Sequence, residues 1–141
     1  MHTLHIPDTG PAGVDALPGR RHVLALPDGT RIALVHLPAP SPGVAGTPTA
    51  TPLLVVHSVN AAASAFEMAP AMLRQAASRP VVAIDLPGFG ASDKPDRRFS
   101  PQQMQQAVAA AIGWMRRHVA PVPVDVLALS LGCEFVAAEI G

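Results

Sequence analysis

The rhythm of apolar and polar positions changes once along this chain. Before residue 38 the apolar positions fall into two short stretches, His22 to Leu26 and Arg31 to Leu37, separated by Pro27-Asp28-Gly29-Thr30. Asp-Gly supplies the positive φ of a tight turn, so the pair predicts an antiparallel hairpin. From residue 53 onward, Leu53 to Val56, Val81 to Ile84 and Val124 to Leu129 are continuous apolar runs without alternation. Strands of that kind are buried on both faces, as in a parallel sheet.

The segments between these runs are long enough for helices. One is expected within Ser64 to Ala77, where Ser64 and Glu67 have capping-box spacing and Pro70 ends or kinks the first turn. In the next, Ser100 caps, Pro101 suits the first position and Gln103 the third. Met104, Val108, Ala111, Ile112, Met115 and Val119 form its apolar stripe, and Arg116, Arg117 and His118 complement its negative end. A last helix is expected from Leu131. The pattern is a layered α/β arrangement, a mostly parallel sheet with an N-terminal antiparallel hairpin and right-handed crossovers, and ligands in such sheets bind at the carboxyl ends of the strands.

Residues 1–19, rich in Pro and Gly, predict a poorly ordered N-terminal tail, and residues 38–52, with five prolines, a flexible connector within a domain spanning 20–141. With 141 residues, 49% of them apolar, the chain has the size of one domain and a real core. Ten acidic and ten basic side chains leave no net charge. No Lys/Arg cluster exceeds a pair, which argues against nucleic-acid and membrane partners. The first twenty residues carry neither a basic region nor an apolar core of a signal peptide, so the cytoplasm is the expected compartment. The single cysteine, Cys133, agrees with that, and no His/Cys spacing implies a metal.

The chemistry concentrates at Leu127-Ala128-Leu129-Ser130-Leu131-Gly132, where a buried strand passes directly into helical sequence. A sharp strand-to-helix turn strains the residue at its apex and needs small second neighbours, here Ala128 and Gly132. It also lifts the Ser130 hydroxyl over a helix N-terminus, where the Leu131 amide can stabilise developing negative charge. A simpler reading has Ser130 merely capping the final helix. The segment resembles the nucleophile elbow of the α/β-hydrolase family, with G-x-S-x-G present as Ala128-x-Ser130-x-Gly132. That resemblance implies Ser130 as the catalytic nucleophile.

Two further loops carry the resemblance. Val56-His57-Ser58-Val59-Asn60 is similar to the family's His-Gly turn, with Ser58 in place of the usual glycine, and implies the Val59 amide as the second oxyanion-hole donor beside Leu131. His57 is expected as a buried histidine that shapes the loop, while Asn60 either polarises a substrate or caps the turn. Asp85-Leu86-Pro87-Gly88-Phe89-Gly90-Ala91-Ser92 resembles the family's Asp-x-x-Gly-x-Gly-x-Ser segment, read as scaffold bordering the pocket. A dinucleotide-binding reading fails, because Gly88-x-Gly90 lacks the third glycine and Lys94-Pro95 stands where a helix should open.

A serine at the elbow argues against dehalogenase-type members, and the absence of His-Gly-x-Pro against epoxide hydrolases. The resemblance implies hydrolysis of an ester-like bond (ester, thioester, lactone or C-C) in a small-molecule substrate, with no cofactor. In this family the acid and the histidine follow the serine. Eleven residues follow Ser130, with Glu134 and Glu139 as their carboxylates and no histidine. The expectation is an incomplete α/β-hydrolase fold, inactive alone, with the Val124 to Leu129 strand left as an open edge. A second polypeptide completing the sheet is one way to supply the rest, and a non-catalytic interaction module derived from a hydrolase is the competing function.

Overall fold

The structure, a computed structural model, describes residues 12–40, 51–94 and 99–140. The two N-terminal stretches form β1 (Arg20–Ala25) and β2 (Arg31–Leu37), antiparallel with Arg20 opposite His36 and Ala25 opposite Arg31. Their turn closes as Leu26 N–H donates to the Thr30 carbonyl at 2.8 Å and Thr30 N–H to Asp28 Oδ1 at 2.9 Å, with Gly29 at φ 87°.

The three continuous apolar runs become β3 (Leu53–Val56), β4 (Val81–Ile84) and β5 (Asp125–Ala128). β3 pairs in parallel with β4 on one side and β5 on the other, and β2 joins β4 antiparallel. The result is a mixed five-stranded sheet in the order β1-β2-β4-β3-β5.

Alternating side chains of the inner strands feed two cores, one on each face. Leu54, Val56, Val82 and Ile84 pack with Leu34 against α2 (Pro101–His118) and against Phe135 and Val136 of α3 (Gly132–Ile140). Leu53, Val55, Val81 and Ala83 face Met68 and the Met72 side chain of α1 (Ala69–Ala76). Every residue of β3 and β4 is buried. β5, at the sheet edge, alternates exposed and half-buried positions, with Val126 and Ala128 turned to the core.

α2 forms as its sequence predicts. Gln103 N–H donates to Ser100 Oγ at 3.2 Å and Ser100 N–H to Gln103 Oε1 at 2.9 Å, a complete capping box. Met104, Val108, Ala111 and Met115 are buried, joined by Ala107 and Trp114, while Ile112 and Val119 pack at the margin. The earlier helix departs from expectation. It opens as a 3-10 turn, Ala65–Met68, capped by Ser64 Oγ accepting from Phe66 N–H at 3.3 Å, and Pro70 lies in the first turn of α1, where its missing N–H has no partner to lose. Glu67 does not close a capping box with Ser64. Its carboxylate accepts from Ser58 N–H instead.

Residues 12–19, expected within the poorly ordered tail, are docked. Gly13–Ala16 is a 3-10 turn that buries Val14 and Leu17 in the α1-side core, and Val14 N–H donates to Asp85 Oδ2 at 2.9 Å. Apolar residues spaced by one turn and a buried acceptor hold the segment despite its Pro/Gly-rich context. Residues 1–11 of the expected tail and 41–50 of the expected connector lie outside the described residues. Among the described residues no helix is long and apolar enough to cross a membrane.

Candidate active site

Three loops leave the carboxyl ends of β3, β4 and β5. The last contains Ser130, whose φ of 54° is the only positive value at a non-glycine position among the described residues. A left-handed conformation costs a non-glycine residue about 1–2 kcal/mol, so surrounding structure must impose it. Three contacts do so: Leu129 N–H continues the ladder to the Val56 carbonyl at 3.1 Å, Gly132 N–H returns to Leu129 at 3.1 Å, and Cys133 N–H bonds the Ser130 carbonyl at 2.9 Å.

Gly132 is where the elbow meets the β3 loop. A Cβ there would lie 2.5 Å from the His57 carbonyl oxygen, inside van der Waals contact with backbone that has no free end to move. This is the physical content of the small residue two positions after the serine. Ser130 itself is exposed, and its Oγ makes no hydrogen bond among the described residues. A serine capping α3 would accept from an amide of the first helical turn and would have extended φ; Ser130 does neither.

In the β3 loop His57 is fully buried. Leu86 N–H donates to its Nε2 at 2.9 Å, so Nε2 carries no proton in the neutral ring and Nδ1–H donates to the Ser58 carbonyl. Burial is the largest influence on this imidazole and holds its pKa below the ordinary histidine value, against smaller raising effects of the Ser58 carbonyl, Asp85 and Glu67. With both nitrogens engaged, His57 has no lone pair to offer a serine hydroxyl. It is the loop-shaping histidine that its position in the sequence suggests.

Asn60 is occupied in the same way. Its Nδ2 donates to Ser58 Oγ at 3.0 Å and its Oδ1 accepts from Ala62 N–H at 3.0 Å, so it caps the turn. The Val59 and Leu131 amides, by contrast, donate to no acceptor among the described residues.

Asp85, at the end of β4, was legible in the sequence only as scaffold. Its buried carboxylate accepts from Val14 N–H at 2.9 Å, Ala65 N–H at 2.9 Å and Ala91 N–H at 2.8 Å, joining three segments distant in sequence. Gly90 has φ 52°, and a Cβ there would overlap the carboxylate at 2.3 Å. Gly90, like Gly13, is therefore the imprint of a buried carboxylate enclosed by backbone, whereas a Cβ at Gly88 would meet the Phe99 ring. Ser92 Oγ adds a link, donating to the Asp85 carbonyl at 2.6 Å and accepting from Ala33 N–H at 2.8 Å.

Other upstream candidates for an acid or base lie elsewhere. Asp125 is paired with Arg79 at 2.7 Å, at the end of β5 remote from Ser130, and the His118 ring lies beside Trp114 with centroids 5.1 Å apart.

Comparison with known proteins bears on the fold and the family. No curated protein matches the chain. Among solved structures, N-formylmaleamic acid deformylase of Pseudomonas putida S16 is similar at 21% identity and a TM-score of 0.65, over 85% of this chain and 40% of that one. The Cif epoxide hydrolase of Acinetobacter nosocomialis is similar at 20% identity and 0.63, over 91% and 36%. An alpha/beta hydrolase of Sphaerobacter thermophilus gives 19% and 0.62, over 84% and 39%. At these identities the likeness concerns the fold, and the chain spans about two-fifths of the length of these structures. The family model described as the alpha/beta hydrolase family matches residues 53–139, from β3 through the elbow into α3. The chain belongs to the alpha/beta hydrolase family.

Proposed function

We propose that this chain carries the nucleophile and the oxyanion hole of a serine hydrolase that cleaves an ester-like bond in a small molecule. One observation carries the reading: Ser130 is held at φ 54° with an unbonded hydroxyl at the start of α3, beside the loop of His57. In the reaction, Ser130 Oγ attacks the scissile carbonyl carbon and the carbonyl oxygen becomes an oxyanion. The unbonded Val59 and Leu131 amides are the donors assigned to that oxygen.

A serine hydroxyl needs a base to take its proton. His57 is committed to Leu86 and Ser58, so we assign the base and its orienting carboxylate to a part of the enzyme outside these 141 residues. The chain by itself is then inactive. A non-catalytic module that binds a partner along the open β5 edge is the alternative, favoured by the exposure of Leu127 and Leu129.

A fluorophosphonate probe separates the two readings. The probe forms a bond from Ser130 Oγ to phosphorus with loss of fluoride, and added imidazole takes the proton. For the purified chain we expect slow labelling by intact mass, faster with imidazole and absent in Ser130→Ala. An external base replaces a general-base contribution of roughly 100-fold or more. A folded chain that stays unlabelled with imidazole argues for the binding module.

A further inference from the structure

We propose that Glu67 is a positioning residue for the oxyanion hole, acting through the Ser58 amide to set the direction of the Val59 N–H. The inference rests on the reading of Val59 as an oxyanion donor. Residues 57–64 run from β3 to the 3-10 turn without strand pairing, so their backbone has no ladder to fix it. The loop is held by side chains instead. His57 Nδ1–H donates to the Ser58 carbonyl, Asn60 Nδ2 to Ser58 Oγ at 3.0 Å, and Ser58 N–H to Glu67 Oε1.

These contacts divide the task. The Ser58 carbonyl and the Val59 N–H belong to one planar peptide unit, so His57, by holding the oxygen, constrains the line along which Val59 N–H points. The plane is still free to swing about the Ser58 φ and ψ unless the preceding unit is also fixed. Glu67 fixes it from nine positions further along the chain. Glycine would be cheap to place there, but this chain has serine, whose narrower backbone range makes an external hold effective. Glu67 has the spacing for a local capping box with Ser64 and reaches the loop instead.

A carboxylate near an oxyanion hole also has an electrostatic effect opposed to its positioning effect. The two are separable by substitution. Gln at 67 retains an acceptor for Ser58 N–H and removes the charge; Ala removes both.

The test combines ¹⁵N–¹H NMR of the 141-residue chain with imidazole-assisted fluorophosphonate labelling. In wild type the Ser58 amide proton should lie downfield and exchange slowly with solvent, as an N–H bonded to a carboxylate does. Glu67→Ala should speed that exchange about tenfold, and Glu67→Gln, which keeps an acceptor, should leave it slow, with the other amides in place. Labelling of Ser130 should slow about tenfold in Glu67→Ala, the rate equivalent of one hydrogen bond, and should not slow in Glu67→Gln. A Ser58 amide that exchanges equally fast in wild type and Glu67→Ala overturns the proposal. So does equal labelling of Glu67→Ala and wild type. If wild type is not labelled at all, the nucleophile reading fails, and the Glu67 contact is judged on the Ser58 amide alone.

Discussion

The loops after β3 and β4 and the elbow after β5 leave the same edge of one sheet, yet they are held in different ways. The first two are cross-braced around buried His57, Ser58 and Asp85: His57 joins them through Leu86, Asp85 gathers three amides, and Glu67 and Asn60 fill in between. The elbow follows an edge strand and has exposed Leu127, Leu129 and Leu131 around it. Its firm tie to the other loops is steric, through Gly132 against His57. The difference teaches that the loop proposed to carry an oxyanion donor is preorganised by its own side chains, while the elbow proposed to carry the nucleophile keeps its backbone shape with exposed side chains around it.

Substitutions should divide along that line. Asp85→Ala strands three amides, two of them buried, that now bond a carboxylate, and we expect a loss of about 3–5 kcal/mol in chemical denaturation. A loss no greater than that of Ser130→Ala, expected within about 0.5 kcal/mol, would erase the contrast. Next in size, Gly132→Val should cost about 1–3 kcal/mol, because its Cβ meets the His57 carbonyl where neither backbone can yield.

Acid should act on the braced region. His57 has a folded pKa below its unfolded value of about 6.5, so its contribution to stability is present above that value and is lost as the pH falls toward the folded pKa. His36 is also lowered, chiefly by burial and then by His22 and Arg20, and acts with the same sign. In a His36→Gln background the denaturation midpoint should therefore still fall between about pH 7 and pH 5, and His57→Gln should flatten that slope. The smallest effect should be a gain. Ser130→Gly removes the left-handed strain and should stabilise the chain by about 0.5–1 kcal/mol, since glycine adopts φ 54° freely.

Much of this was legible in the chain itself. Unbroken apolar runs announced β3 and β4, the Ser100-Pro101-Gln103 signal located α2, and small residues flanking Ser130 located the elbow, because each reports a local physical demand. Docking of Val14 and the role of Asp85 were not legible, since they arise from contacts between residues 71 positions apart. Glu67 misled for the same reason: the capping-box spacing is local, and a longer-range acceptor site at Ser58 N–H outcompeted it. Glycines at positive φ placed around a carboxylate are the one sequence trace Asp85 leaves.

Amide hydrogen exchange tests the central claim, a braced loop after β3, proposed to carry an oxyanion donor, beside a less protected elbow, proposed to carry the nucleophile. The reporters are Ser58, Ala65, Leu86 and Ala91 on one side and Gly132, Cys133 and Glu134 on the other. The expected result is exchange of the first group only by near-global opening, and exchange of the second group faster by roughly tenfold or more through local opening. Equal protection of the two groups, or faster exchange in the loops after β3 and β4, would contradict it.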